Sequence, residues 1–171
     1  MELSDTKRGN RTPIWIAGGC LAILICGLGV FLFGFGGLYW LGTQFAEEVS
    51  VNWNLPSAMT VGEDIKFDIA ISNITAAPVD LFSIDFSTNY LQGVLIEATT
   101  PLYVNVFEYT AWGGGEVFQS YSFKQSIPPG EPLLIAFNGR AVMSGDYTGT
   151  IVVCINSAFN CKTNVLRTII K

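Results

Sequence analysis

The sequence contains no histidine, which is the commonest general base in enzymes and the commonest transition-metal ligand. Cysteine is also scarce. Of the four cysteines, Cys20 and Cys26 lie in a long apolar stretch, so only Cys154 and Cys161 are left for the rest of the chain. A structural zinc site needs four ligands, usually cysteine or histidine, and two thiols supply only half of them. The composition therefore argues against a zinc or copper centre.

Sequence motifs of catalysis are absent as well. There is no Gly-x-Ser-x-Gly motif, no glycine-rich phosphate loop that opens a helix, and no nucleophile and base at a characteristic spacing. No loop has the ligand spacing of a calcium site. We therefore expect a protein that is not an enzyme and uses no cofactor or metal. Five aspartates could pair in space, but a solvated acidic surface is the simpler interpretation of Asp64, Asp68, Asp80, Asp85 and Asp146.

Charged residues are missing from the 35 positions between Thr12 and Ala46. About 20 apolar residues suffice to cross a bilayer as a helix, so this stretch predicts one transmembrane helix over residues 13–41. Trp15 and Tyr39 would lie about 36 Å apart along that helix, close to the spacing of the two membrane interfaces. A cleaved signal peptide is the alternative, but its apolar region usually has only about 7–15 residues.

The charges on either side of this helix predict its orientation. Lys7, Arg8 and Arg11 precede the helix, whereas Glu47 and Glu48 follow it. Because basic residues next to a membrane helix stay in the cytoplasm, we expect a plasma-membrane protein with a cytoplasmic N-terminus. The predicted segments are a cytoplasmic tail at 1–12, the helix at 13–41, a linker at 42–48 and an extracytoplasmic domain at 49–171.

After residue 45 the hydrophobic pattern changes from helical to alternating. Apolar residues at 49–55 and 65–71 alternate with polar ones, as in half-buried strands, and no helical period appears. Eight or nine short strands separated by turn residues predict an antiparallel β-sandwich, with a closed barrel as the alternative. The further strands are predicted at 79–86, 91–98, 102–109, 117–127, from 133, at 147–155 and at 161–170.

Several turn sequences carry a family resemblance. They are Val61-Gly62-Glu63-Asp64-Ile65, Ser72-Asn73, Ile127-Pro128-Pro129-Gly130-Glu131 and Gly145-Asp146-Tyr147-Thr148-Gly149. With these turns, residues 49–170 resemble the Ig-like β-sandwich modules of bacterial and archaeal surface proteins, of the cell-adhesion-related and S-layer-associated kinds. The resemblance implies an all-β, Ig-like fold and a role as a spacer, a stalk or a contact surface.

Three details of this domain are predicted from individual residues. Cys154 and Cys161 fall opposite each other in a hairpin that turns midway between them, so we expect a structural disulfide. Tyr147, near the start of a strand, suggests a tyrosine corner, with an ordinary core tyrosine as the alternative. Asn73 opens an Asn-Ile-Thr glycosylation sequon, whose use depends on the host.

Two aromatic residues and one helix face are candidates for contact with a partner. Trp112 and Phe159 are expected at turn tips, where they either anchor a partner or fold back onto the sandwich. In the helix, a row of small residues at four-residue steps, broken only by Val30, would let a helix of a partner or of a second copy approach closely in lipid. These helix-packing residues are Gly18, Ala22, Cys26 and Gly34.

These features together predict a non-enzymatic scaffold or accessory subunit of a membrane or envelope protein complex. The alternative is a module that binds an envelope glycan or another surface ligand. The residues after the helix carry 12 acidic and six basic side chains, so we expect neither nucleic acid nor anionic lipid headgroups as their partner. The expected partners are the lipid bilayer and other membrane or envelope proteins, with a homo-oligomer as a further option.

The predicted orientation can be tested with protease. Protease added outside intact cells or spheroplasts is expected to digest the C-terminal domain and to leave the N-terminal tail intact, because the basic residues of the tail hold it in the cytoplasm. Epitope tags at the two ends would report each fragment. Digestion of the tail alone would show that the orientation is the opposite one.

Overall fold

The computed structural model describes residues 46–111 and 113–171. Within these two ranges, no helix has the length and apolar character needed to cross a membrane. The predicted tail and transmembrane helix, with the helix-packing residues Gly18, Ala22, Cys26 and Gly34, lie outside the described residues, and so does Trp112.

The described residues form ten strands and one short helix. The strands make two sheets, one with the order β1-β3-β8-β5 and one with the order β2-β10-β9-β4-β7-β6. All neighbours are antiparallel except the parallel pair β2–β10. The elements in chain order are β1 (Val49–Asn54), β2 (Ala58–Met59), β3 (Asp64–Asn73), β4 (Val79–Ser87), α1 (Thr88–Leu91), β5 (Val94–Thr100), β6 (Asn105–Thr110), β7 (Val117–Ile127), β8 (Pro132–Ala141), β9 (Gly145–Ile155) and β10 (Cys161–Ile170).

The order of the strands is that of an immunoglobulin-like sandwich. In the variable type of that fold, strands A, B, E and D form one sheet and G, F, C, C′ and C″ form the other. Here β1, β3, β8 and β5 occupy the first four places, and β10, β9, β4, β7 and β6 occupy the other five. The connections between β4 and β8 differ, because the chain forms β5 first and then forms β6 before β7, the reverse of the C′ and C″ order. The predicted all-β, Ig-like sandwich is confirmed, and the closed barrel is wrong because the strands form two separate sheets.

The core lies between the two sheets and follows from the alternating pattern. Along β3 every second side chain is buried, from Ile65 to Ile71, and the residues between them are exposed or half-buried. Phe137 of β8 meets Phe86 of β4 and Tyr121 of β7 edge to face, with ring centroids 4.9 and 5.4 Å apart. Because full burial of a phenylalanine or isoleucine contributes about 1.5–3 kcal/mol, this alternation selects the register of the strands.

Some strand boundaries differ from those predicted. The strand expected from residue 91 begins at Val94, because α1 turns the chain first and buries Tyr90, whose hydroxyl hydrogen-bonds the Thr168 hydroxyl at 2.9 Å. The strand expected from residue 102 begins at Asn105. The two-residue strand β2 has too little pattern to be predicted. Gly145 and the residue after it, expected in a turn, belong to β9.

The predicted hairpin between β9 and β10 is confirmed. Cys154 lies directly opposite Cys161 in the ladder, and their sulfur atoms are bonded at 2.11 Å. The Ile155 N–H donates to the Asn160 carbonyl one step further along, so the two cysteines occupy a non-hydrogen-bonded pair, where facing Cα atoms approach most closely. The disulfide therefore joins neighbouring strands of one sheet and does not cross the core.

Tyr147 occupies the position of a tyrosine corner, at the start of β9 just after the turn from β8. Its hydroxyl donates to the backbone carbonyl of Ser144 at 3.3 Å, as predicted for such a corner. Its ring lies against Gly93 and Gly145, where an added Cβ would come within 2.3 and 2.9 Å of the ring atoms. The two glycines leave space for the Tyr147 ring, and the packed ring holds the turn from β8 to β9 in place.

Asn73 joins the ends of three segments instead of presenting a glycosylation site. The residue is almost fully buried. Its Nδ2 donates to the carbonyls of Ala77 and Ile127 at 2.8 and 2.9 Å, and its Oδ1 accepts from the Thr75 N–H and hydroxyl. A glycan on Nδ2 would replace one of the two donated hydrogens, so the folded domain uses this sequon for structure.

Replacing both Cys154 and Cys161 with alanine is expected to lower the free energy of unfolding by roughly 2.5 kcal/mol, because the disulfide closes a loop of eight residues. Denaturant unfolding of the two forms measures the difference. In the unmodified protein, mass spectrometry of the non-reduced peptide should show two hydrogens fewer than in the reduced peptide. Free thiols at both positions in native material would contradict the assignment.

Candidate binding surface

The turn that carries Phe159 and the turn between β6 and β7 lie at opposite ends of the sandwich. Phe159 lies in the turn between β9 and β10, and its side chain is 58% exposed, so it does not fold back onto the core. In the sequence Trp112 stands between β6 and β7, before Gly113 and Gly114, which adopt positive φ angles of 92° and 76°. β7 begins at the β6–β7 turn and ends at Ile127, beside the start of β4. β9 also ends beside the start of β4, so the turn that carries Phe159 is separated from the β6–β7 turn by the length of β7.

A run of exposed apolar side chains surrounds β6, which is an edge strand of the six-stranded sheet. Five of its six residues are exposed. Val106 and Phe107 are each about 40% exposed on opposite faces of the strand, and the preceding Leu102 and Val104 are 76% and 57% exposed. We call these four side chains, together with the outer backbone groups of β6, the β6 edge.

The direction of the backbone groups along β6 follows from its turn. The Ala111 N–H donates to the Glu116 carbonyl, so the backbone of residue 111 points toward β7. Backbone groups in an antiparallel strand alternate in direction, so those of residues 109, 107 and 105 also point toward β7. The N–H and C=O groups of Val106, Glu108 and Thr110 therefore point outward, in line to pair with another strand.

The other sheet edges carry features that discourage pairing, and the β6 edge has few of them. β5 contains a bulge between Ile96 and Ala98, and the exposed side chains of β1 are all polar. β2 has two residues and covers only the end of β10, whose uncovered part carries Lys162 and Arg167. Natural edge strands are usually protected by bulges, prolines, lysines or shortness. β6 has six residues, a regular register and no proline, lysine or arginine, with Glu108 as its sole charge. It is the edge most open to a partner strand.

A buried carboxyl group behind this edge holds β6 in place. Asp85 lies on the outer face of β4, because its neighbours Ile84 and Phe86 point into the core, yet it is only 3% exposed. The Ser120 hydroxyl donates to one of its oxygens at 2.6 Å, and the Tyr109 hydroxyl donates to the other at 2.9 Å. This network reaches from β4 across β7 to β6, so it ties the edge strand to the centre of the sheet.

The electrostatics of this network favour hydrogen bonding over reactivity. Burial raises the pKa of Asp85, and hydrogen bonds from Ser120, Ser83 and Tyr109 oppose that rise. Burial and the charge of Asp85 raise the pKa of Tyr109, so its phenol stays protonated and donates at physiological pH. A carboxyl group that is held by hydroxyls and closed to solvent cannot reach a substrate. These hydrogen bonds hold β6 in its position against β7.

The interpretation of Asp85 as part of a solvated acidic surface is therefore wrong, because hydroxyl groups on the neighbouring strands enclose it. Three of the other aspartates pair with basic residues, at 3.1 Å for Asp68–Lys66, 3.4 Å for Asp64–Arg140 and 2.8 Å for Asp146–Arg167, and Asp80 is exposed. Across residues 46–111 and 113–171, no three acidic or thiol side chains converge as metal ligands would.

No family model matches the chain, and no curated protein matches it. Among solved structures, AvmM, which catalyses macrocyclization in alchivemycin A biosynthesis, is 8% identical over 72% of this chain and 89% of its own, with a TM-score of 0.50. A cohesin module from Clostridium perfringens is 10% identical over 72% and 98%, with a TM-score of 0.40. A CARDB domain from Pyrococcus furiosus is 12% identical over 77% and 96%, also with a TM-score of 0.40. These likenesses concern the fold alone, and the narrower resemblance to adhesion and S-layer modules stays a prediction.

The sequence contains a signal for the β6 edge that the strand assignment passed over. Leu102 to Val104 are three consecutive apolar residues, and Val106 and Phe107 are two more, so apolar side chains occur on both faces of this segment. A half-buried strand would alternate instead. The Asp85 network gives no such signal, because its three members come from strands that are distant in sequence.

The buried Asp85 carboxyl predicts a pH-dependent stability. The pKa of Asp85 is higher in the folded than in the unfolded chain. The protonated carboxyl therefore contributes to the free energy of unfolding fully below the ordinary aspartate pKa of about 3.9, and this contribution is lost as the pH rises through the pKa of the folded state. Relative to the parent, Asp85→Asn should therefore become progressively more stable as the pH rises from about 3.9. Denaturant unfolding between pH 3.5 and 8 measures the difference, with Asp80→Asn, an exposed site on the same strand, as control. A difference that does not change with pH would contradict the assignment.

Proposed function

We propose that this protein is a non-enzymatic accessory or scaffold subunit of a membrane or envelope complex, anchored by a single helix and contacting its partner through the extracytoplasmic Ig-like domain. The observation that carries the proposal is the β6 edge. It combines exposed apolar side chains with a row of outward-pointing backbone groups on a strand without a bulge. Proteins commonly recognise an extended segment by adding it as a further strand to such an edge.

The rigidity of the β6 edge supports this proposal. Edge strands with few contacts fray, and a partner would then have to order them on binding at an entropic cost. Here the Tyr109 ring stacks on Phe118 at 5.5 Å, and its hydroxyl is bonded to Asp85. The Tyr103 ring packs edge to face on Tyr121 at 5.3 Å, which holds the segment before β6 in the same way. The strand is thus already in the conformation that strand addition requires.

The proposed membrane placement rests on the sequence. The apolar stretch at 13–41 is long enough to span a bilayer, and the basic residues before it favour a cytoplasmic N-terminus. The disulfide between Cys154 and Cys161 supports an extracytoplasmic domain, because disulfides persist mainly in oxidising compartments. The small residues Gly18 and Ala22 provide a second surface, on which a partner helix would pack.

Val106→Pro tests the role of the β6 edge. The Val106 N–H points away from β7, so proline there removes no ladder hydrogen bond of the domain, while it removes a donor that an added strand needs. Tagged full-length chain purified from its native membranes in mild detergent should bring a stoichiometric companion. We expect Val106→Pro to reduce the recovered companion about tenfold, the effect of one or two lost hydrogen bonds and a steric block.

The matched control is Val106→Ala, which truncates the same side chain and keeps the N–H. It should retain most of the companion, and both variants should keep the parent melting temperature. A companion lost equally from both variants would contradict strand addition. A companion that survives both but is lost in Gly18→Leu/Ala22→Leu would place recognition in the membrane helix instead.

A further inference from the structure

Four segments meet at the end of the sandwich where the described chain begins. We call this end the N-terminal pole. The chain enters the domain there at Ala46, and β3, β7 and β9 all end there, as the contacts of Asn73 with Ile127 and of Asn156 with Asp80 show. The segments of the pole are residues 46–48, 74–78, 128–131 and 156–160.

The turn that carries Phe159 is fixed to the rest of the pole. Asn156, with a positive φ of 61°, donates its N–H to the Asp80 carbonyl and accepts the Asp80 N–H on its side chain, both at 2.8 Å. Asn160 donates to the Glu48 carboxylate at 3.0 Å, and the Cys154–Cys161 disulfide closes the turn from behind. Hydrogen bonds and the disulfide thus hold the turn at both of its ends.

The first described residues are bound to the same turn. The Ala46 N–H donates to the Cys161 carbonyl at 3.3 Å, and Ala46 is fully buried. The Glu48 carbonyl accepts from the Ile74 N–H at 2.9 Å, and the Lys162 ammonium donates to the Val49 carbonyl. The point where the chain enters the domain and the turn with Phe159 are therefore one rigid unit.

Two apolar side chains project from this pole without contributing to the core. Phe159 is 58% exposed and Ile74 is 65% exposed. The four segments of the pole contain no lysine or arginine. A fixed turn that presents an exposed phenylalanine gains nothing for folding from that side chain, since burial and not exposure stabilises it.

We propose that the N-terminal pole rests on the outer surface of the lipid bilayer, with Phe159 and Ile74 in the interfacial layer. This inference rests on the membrane anchor of the proposed function. If residues 13–41 span the bilayer, only residues 42–45 separate the helix from Ala46, and an extended chain covers at most about 18 Å from residue 41 to residue 46. The headgroup layers extend several ångströms beyond the hydrocarbon core, so the pole lies within reach of them.

The chemistry of the pole fits uncharged or zwitterionic lipid. Aromatic side chains partition favourably into the interfacial layer, and an isoleucine beside them adds apolar area. The acidic residues Glu47, Glu48 and Glu131 outnumber the one lysine beside them, Lys162, and disfavour anionic headgroups. Two apolar contacts, one on the fixed turn and one on the segment after β3, would hold this end of the domain at the membrane surface.

A photocrosslinking experiment on the full-length chain in phosphatidylcholine vesicles tests this contact. A benzophenone side chain replaces Phe159 in one sample and Val61 in another. Val61 is the matched control, because it is also an exposed apolar residue in a turn, 47% exposed, but lies at the opposite end, where its N–H meets the carbonyl of Lys171. After irradiation, mass spectrometry measures the lipid adducts on each peptide.

We expect about tenfold more lipid adducts at position 159 than at position 61, as burial of a phenylalanine-sized side chain in the interface implies. A probe replacing Ile74 should behave like the one at 159. Equal yields at 159 and 61, or adducts to protein in place of lipid at 159, would overturn the inference. Flotation of the vesicles separates this failure from that of the anchor: a chain that floats without adducts at 159 is anchored but does not rest on the membrane, whereas a chain that does not float refutes the anchor and the inference together.

Discussion

The packing of Phe137 against Phe86 and Tyr121 across the space between the two sheets is the constraint on which the rest of the domain depends. These rings come from β8, β4 and β7, and each lies next to further buried residues of its own strand. A shift of one residue in any of these strands would turn its aromatic side chain to solvent. The register of both sheets follows from this contact, and so do the faces on which all other side chains lie.

The outer features of the domain are consequences of that register. With Ile84 and Phe86 inward, Asp85 must point outward, where Ser120 and Tyr109 lie on the neighbouring strands and enclose it. With β6 last in the sheet, the backbone groups of alternate residues have no strand beside them. Hydrogen bonds thus hold β6 against the sheet, while its outer side has no neighbouring strand. This is the physical basis for proposing that a partner protein completes the sheet.

The sequence was sufficient for the parts of the fold that depend on local pattern. The alternation of apolar and polar residues predicted β3. The number of residues between Cys154 and Cys161 predicted the β9–β10 hairpin and the pairing of the two cysteines. Both patterns act over a few residues, so the sequence alone contains them. It was insufficient where distant residues meet. Asp85 could not be told from a surface aspartate, since the hydroxyls that enclose it are 24 and 35 positions away. That β6 is an edge depends on the order of the strands, which no local pattern encodes.

Amide hydrogen exchange at Val106, Glu108 and Thr110 tests most directly the claim that a partner strand covers the β6 edge. These N–H groups point away from β7, so the domain alone leaves them open to water, whereas an added strand would protect them. The account predicts slow exchange at the three amides in the native membrane and fast exchange after the chain is purified into lipid vesicles without its companions. Fast exchange at all three amides in both preparations would contradict it.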